Sequence, residues 1–308
     1  MKYITGTLDF SLTDSSVITL GKFDGLHRGH QELINRIRKI SKSGLETIVF
    51  TFDVPPTKRL GDNDGRTLIT NEERKMMLEE MGIDCLIECP FVPEIMNMEP
   101  EIFVKEILVD ALKIAHVVVG DDFHFGRNRK GNPQMLRELG KRYHFEVEVV
   151  DKLHDGNRVI SSTYIREEIE VGNIEKANEL LGYSYFITGE VVRGRHLGSK
   201  SLLPTINQEP SLLKQLPPFG VYTSQTDIDV KRYRSVTNIG MKPTVGSDRV
   251  GVETYLFDCD ADLYGLNAKV ELLNYQRPER KFASIKELKA QLEEDKKVAL
   301  KGQFGSEN

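Results

Sequence analysis

Two histidines, His27 and His30, flank Gly29 in the segment Gly21-Lys-Phe-Asp-Gly-Leu-His-Arg-Gly-His30. An apolar run, Val17–Leu20, precedes the segment and an amphipathic run, Arg28–Ile40, follows it, so the segment leaves a strand and opens a helix. A helix N-terminus presents free N–H groups and a positive dipole end, which suits phosphate. At a helix start this spacing puts both imidazoles on one side, where they can hydrogen-bond an anion and the charge developing at its phosphorus. Gly21 and Gly25 let the backbone turn tightly and approach a ligand. A second string, Ile160-Ser-Ser-Thr-Tyr-Ile-Arg166, reads as a helix capped by Ser162 and Thr163, with Arg166 one turn in as a clamp for phosphate oxygens. A third, Gly120-Asp-Asp-Phe-His-Phe-Gly126, follows the apolar His116–Val119 and so leaves a sheet at a strand's carboxyl end, where open α/β sheets bind ligands. Its Phe123 and Phe125 offer faces to a planar ring. Each string alone also has a plain reading: turn residues, a capped helix, a basic loop. The first two in one chain favour phosphate chemistry.

The elements that must hold these groups change character along the chain. Strands are expected at Val17–Leu20, Glu46–Phe52, Asp84–Ile87, His116–Val119 and Phe145–Val150. They alternate with helices at Arg28–Ile40, Asn71–Met81 (capped by Asn71), Glu101–Leu112, Pro133–Arg142, Thr163–Glu170 and Ile174–Leu181. Such alternation predicts parallel strands in a doubly wound, Rossmann-like sheet. After Tyr185 strand follows strand: Phe186–Val192, Gly220–Thr226, Ser235–Ile239, Val252–Asp258 and Ala268–Tyr275. That pattern predicts an antiparallel barrel, closed by a terminal helix over Ser284–Leu300. The expected domains are 1–183 and 184–308.

Composition narrows the classes. A net charge of −5 over 308 residues, without a basic stripe, speaks against a nucleic-acid module. The cysteines, Cys85, Cys89 and Cys259, form neither a disulfide framework nor a zinc pattern, which points to a reducing compartment. No apolar run approaches the ~18 residues needed to span a bilayer, and Asp9 sits where a signal peptide would be apolar. The expectation is a cytoplasmic protein that engages neither membrane nor nucleic acid.

The H-x-G-H string resembles the motif of the nucleotidyltransferase superfamily, and Ile160–Arg166 resembles its I-S-S-T-x-x-R segment. The whole chain is similar to the prokaryotic bifunctional riboflavin kinase/FAD synthetases. Gly189–Gly198 looks like that family's glycine-rich approach to the kinase barrel, Pro204-Thr-Ile-Asn207 like its P-T-A-N motif, and Phe219–Tyr222 like its G-V-Y strand. Asn238–Gly246, Val252–Leu256, Asp262–Gly265 and Arg277–Phe282 match as well. The resemblance implies an N-terminal FMN adenylyltransferase domain (1–183) and a riboflavin kinase-like β-barrel (184–308). ATP would be co-substrate, Mg2+ would bridge phosphates, and riboflavin, FMN and FAD would be substrates and products. It further implies that His27, His30 and Arg166 are catalytic in adenylyl transfer, and that Gly21, Phe23, Asp24, Gly25, Gly29, Ser162 and Thr163 bind the nucleotide. Asp122, Phe123, Phe125 and Arg277 would contact flavin. In the kinase half, Glu253 would be the general base, Thr205 and Asn207 would hold Mg2+ and phosphate, and Gly194 and Gly198 would fold over the nucleotide. On its own residues P-T-I-N passes for a turn, and Glu253 for a solvent-facing strand residue.

Four departures stand out. Leu202 replaces the usual glycine before P-T-x-N, and Ile206 replaces its alanine. Phe52-Asp-Val-Pro-Pro56 lacks the usual histidine, and Tyr164 stands where a basic residue is common. Hence two alternatives: an adenylyltransferase with a weak or silent kinase barrel, and a flavin-sensing protein without catalysis.

Overall fold

A computed structural model describes residues 1–42, 44–53, 65–193, 205–244 and 247–301. The chain divides into two compact units, Met1–Ser162 and Thr163–Asn308.

The first unit is a six-stranded parallel sheet in the order β1-β4-β3-β2-β5-β6, where β1 is Lys2–Thr5, β2 Ser16–Leu20, β3 Glu46–Phe52, β4 Cys85–Cys89, β5 Ile114–Gly120 and β6 Glu146–Val150. The edge strand β1 was not read from the sequence; it pairs in parallel with β4, Tyr3 opposite Leu86. β2 and β4 are buried at every position, as a sheet covered on both faces requires. On one face Ile18, Leu20, Phe50 and Val119 pack with Phe103, Leu108 and Leu136. Helix α1 (Arg28–Ser41) buries Leu33, Ile34 and Ile37. Helix α2 (Asn71–Glu80) is capped by Thr70 rather than Asn71, because Thr70 and Glu73 complete a reciprocal capping box. Asn71 instead donates to the Asp53 carbonyl. After the short turn α3 (Pro93–Met96), α4 opens at Pro100–Ile102 and continues π-wound over Phe103–Ala111, with Leu112 N bonded to Ile107 O. Helix α5 (Pro133–Tyr143) is capped by the Asn132 side chain. The two-residue strands β7 (His154–Asp155) and β8 (Arg158–Val159) form a small hairpin.

The second unit begins within α6 (Ser162–Glu170), followed by α7 (Ile174–Leu181). Asn178 on α7 donates to the Leu272 carbonyl and accepts from the Tyr185 amide. An antiparallel sheet follows in the order β10-β13-β12-β11-β14-β9. Its strands are β9 Phe186–Glu190, β10 Thr205–Gln208, β11 Gly220–Ile228, β12 Lys231–Thr244, β13 Ser247–Leu256 and β14 Asn267–Arg277. The sheet curls until its edges meet: Val192 N donates to Asn207 O at 2.8 Å, and Gln208 Nε2 reaches the carbonyls of Gly189 and Ala268. One apolar cluster joins Val191, Ile206, Ile228, Leu256 and Ala268. Buried hydroxyls of Thr226, Ser235, Ser224, Thr237 and Thr254 link β11, β12 and β13 in a continuous chain of hydrogen bonds of 2.8–2.9 Å. The terminal helix α8 (Ile285–Lys301) packs Ala299 against Val221, Val236, Tyr255 and Phe257.

Candidate functional sites

In the first sheet β2 has β3 on one side and β5 on the other, so chain order reverses there. The register sets Thr19 opposite Val118, so the chain leaves β2 at Gly21 beside the point where it leaves β5 at Gly120. The crevice outside such a reversal is where doubly wound sheets bind ligands. The first and third predicted strings start there.

The loop from Gly21 to His27 is wound against its backbone preferences. Phe23 (φ +47°), Gly25 (φ +82°) and Leu26 (φ +38°) are left-handed, and the Phe23 and Leu26 side chains are fully buried. Left-handed non-glycine residues cost roughly 1–2 kcal/mol each, a cost met at sites the surrounding structure over-determines. Asp24 supplies part of that determination: its Oδ1 accepts the Leu68 amide at 2.7 Å. Ser162 supplies more. Its Oγ donates to the Asp24 carbonyl at 2.8 Å, so this hydroxyl holds the loop instead of capping the helix it begins.

His27 is the N-cap of α1 in an extended conformation, and His30 lies in the first turn. Their rings stack with centroids 3.7 Å apart at 21°, and the buried Phe23 ring meets His30 edge-on at 5.2 Å. Gly29 permits the stack, since a Cβ there would lie 3.2 Å from two atoms of the His27 ring. Nδ1 of both histidines is buried with no hydrogen-bond partner among the described residues. Burial pushes the His27 pKa down to about 4. It drives His30 well below the ordinary histidine value, helped by charge on His27. Near neutral pH both rings are uncharged, each with one N–H to donate. Thr163 is exposed and Arg166 half-buried on α6; they belong to the second unit.

At the end of β5, Phe125 lies in the core against Phe103, and Gly131 makes room for it: a Cβ there would sit 2.6 Å from its ring. A pair of backbone bonds between Phe125 and Gly131 closes the loop. Phe123 stacks on Phe125 at 5.6 Å and stays half-buried, so it is the ring with a face left for a ligand. The exposed Asp122 carboxylate pairs with Lys152 Nζ at 3.1 Å. Lys152 was missed from the sequence. Its signal was position, two residues past β6 at the same edge of the sheet.

In the second unit Thr205-Ile-Asn207 forms β10 instead of a turn, because its alternation suits an edge strand: Ile206 faces the core while Thr205 and Asn207 stay half-buried. The register sets Asn207 opposite Glu253 and Glu253 opposite Asn238. Thr205 Oγ1 donates to Glu253 Oε1 at 2.8 Å. Three of the predicted kinase residues are thereby gathered. A cavity of about 280 Å³ beside Thr205 is lined by Val191, Ile206, Leu256, Leu263 and Tyr264, with Asp260 and Asp262 also on its wall. Arg277, expected at flavin, spends its guanidinium on Asp295 of α8, through bonds of 2.9 and 2.6 Å. Gly194, Gly198 and Leu202 lie outside the described residues, as do Val54–Pro56.

Comparison with known proteins identifies both halves of the chain. The FAD synthetase family model matches residues 10–164, and the riboflavin kinase model matches residues 181–302. The bifunctional riboflavin kinase/FMN adenylyltransferase of Bacillus subtilis is 36% identical, covering 93% of this chain and 92% of that protein. The Escherichia coli K12 protein of the same description is 33% identical, covering 97% of each. A crystal structure from Streptococcus pneumoniae, described as a macrolide-efflux protein, superposes with a TM-score of 0.85 at 29% identity over 96% of this chain and 97% of that one. Among the described residues no helix is long and apolar enough to cross a membrane. Two matched domains in the same order, and relatives that align from end to end, place the chain in the bifunctional riboflavin kinase/FMN adenylyltransferase family.

Proposed function

We propose that residues 1–183 transfer adenylate to FMN at the His27/His30 crevice and that residues 184–308 phosphorylate riboflavin at the Thr205–Glu253 pair. The chain is an ATP-dependent enzyme of FAD synthesis with both activities. The observation that carries the residue assignment is the stacked, uncharged histidine pair with unpartnered Nδ1 atoms at the chain reversal of the parallel sheet.

In adenylyl transfer the FMN phosphate oxygen attacks the α-phosphorus of ATP and pyrophosphate leaves. The nucleophile is already an anion, so no protein base is needed. His27 and His30 donate N–H bonds to the triphosphate as charge shifts onto the leaving group. Phe123 stacks on the flavin.

In the kinase step the ribityl hydroxyl attacks the γ-phosphorus and Glu253 accepts its proton. The Thr205 hydroxyl, by donating to one Glu253 oxygen, orients the carboxylate and leaves the other oxygen for substrate. The cavity beside Thr205, apolar on one wall and acidic at Asp260 and Asp262, takes the nucleotide base. The side-chain oxygens of Thr205 and Asn207 are hard donors that fit Mg2+. Among the described residues no group of three His, Cys, Asp or Glu could hold a metal ion, so Thr205 and Asn207 are the residues that would hold it. When bound it neutralises phosphate charge during transfer. Work on small soluble substrates, without membrane or nucleic acid, suits a cytoplasmic setting.

The test is chromatography of flavins after incubation with ATP and Mg2+, starting from riboflavin or from FMN. The His27→Ala/His30→Ala variant is expected to lose FAD formation by about 100-fold or more while still making FMN. Glu253→Gln is expected to do the reverse. Unchanged FAD formation in the histidine variant would sink the first assignment, and unchanged FMN formation in Glu253→Gln the second.

A further inference from the structure

Every second carbonyl of the strained loop is tied to a side-chain donor from a different part of the first unit. Lys22 O accepts Thr51 Oγ1 of β3 at 3.3 Å, Asp24 O accepts Ser162 Oγ at 2.8 Å, and Leu26 O accepts Gln31 Nε2 of α1 at 2.9 Å. Every peptide here is trans. In a trans peptide the C=O and the N–H of the next residue point in opposite directions. Holding these carbonyls therefore fixes the amides of Phe23, Gly25 and His27 away from the three donors. The amides of Phe23 and His27 have no partner among the described residues. The last of these planes directly precedes the free first-turn amides of α1 and the two imidazoles. Backbone N–H groups held in a left-handed turn form a concavity that attracts anions.

We propose that Thr51, Gln31 and the Ser162 hydroxyl are positioning residues for adenylyl transfer: a three-point clamp on alternate carbonyls that presets the loop amides for the ATP triphosphate. Neither Thr51 nor Gln31 touches the nucleotide. Each acts through the peptide plane that it holds. The inference rests on the reading of Gly21–His30 as the triphosphate site.

The experiment compares the full-length chain with Thr51→Val, Thr51→Ser, Gln31→Met and the Thr51→Val/Gln31→Met pair, alongside His27→Ala. Valine and methionine keep size and remove the donor; serine keeps it. Loss of one net hydrogen bond corresponds to about a fivefold effect, so each donor-less single variant should lose about fivefold in kcat/KM for ATP, and the pair tenfold or more. KM for FMN should stay within about twofold, and Thr51→Ser should retain ATP use. Melting temperatures of the same samples report on folding of the first unit, and riboflavin phosphorylation on that of the second. Should Thr51→Val unfold, Gln31→Met carries the test alone, since that residue is only half-buried. Unchanged kcat/KM for ATP, or an equal loss toward FMN, overturns the clamp. If His27→Ala loses adenylyl transfer while the clamp variants keep it, the clamp alone falls. If His27→Ala also keeps it, the site reading falls with it.

Discussion

His27 and His30 combine burial with unpartnered nitrogens, and the combination has a pH signature. An unfolded chain titrates histidine near 6.5, whereas burial holds His27 at about 4. Between those values the unfolded state binds a proton that the folded state excludes. Stability is therefore full above about pH 6.5, declines as pH falls toward 4, and levels off below. For His27 alone the span amounts to about 3 kcal/mol, and His30 shifts in the same direction. Denaturant unfolding followed from pH 7 to pH 4 should show this slope, and His27→Gln should flatten it. A slope unchanged in that variant would mean that the ring is not buried uncharged. At this scale the sequence was most legible where glycines crowd polar residues: H-x-G-H needs Gly29 because the His27 ring lies across it. The same segment hid two supporting roles. Phe23 and Asp24 read as nucleotide contacts, yet Phe23 braces His30 and Asp24 holds Leu68.

Elements settle what individual residues are free to do. Arg277 sits in a string that resembles flavin contacts, but α8 packs alongside and its Asp295 is only 2% exposed. The pair Arg277–Asp295 fastens that helix to the end of β14. Removing one partner strands a buried charge, which typically costs 3–5 kcal/mol. Arg277→Met should therefore destabilise the second unit by about 3 kcal/mol, and Arg277→Met/Asp295→Leu should recover most of the loss in urea unfolding followed by circular dichroism. A neutral single variant would return Arg277 to the flavin. Element boundaries drifted where the deciding signal was a partner far along the chain. Thr205–Gln208 is a strand because β13 lies beside it; the cap of α2 moved for a local reason, since the Thr70–Glu73 box outcompetes Asn71.

The two candidate centres, the His27/His30 pair and the Thr205–Glu253 pair, lie in separate compact units. FMN made in one must reach the other, and the simplest route is through solvent. A mixture of the His27→Ala/His30→Ala chain with the Glu253→Gln chain should then convert riboflavin to FAD, although neither does so alone. Chromatographic time courses should show FMN rising before FAD. Failure of the mixture, with both partners active in their intact half, would mean that FMN is passed within one chain.

Hydrophobic periodicity by itself determined a parallel α/β half followed by an antiparallel barrel, because burial on one face or two imposes its period on any sequence that adopts the element. Short polar strings at strand ends singled out the candidate phosphate site. Tertiary structure alone decided which of those groups hold the frame. Ser162 turned to the Asp24 carbonyl, Phe125 sank into the core, Arg277 went to Asp295, and Thr205 met Glu253 across two strands. The reason is physical: a side chain's hydrogen-bond partner is set by distance in space, and the partners here lie 18 to 138 residues apart in the chain.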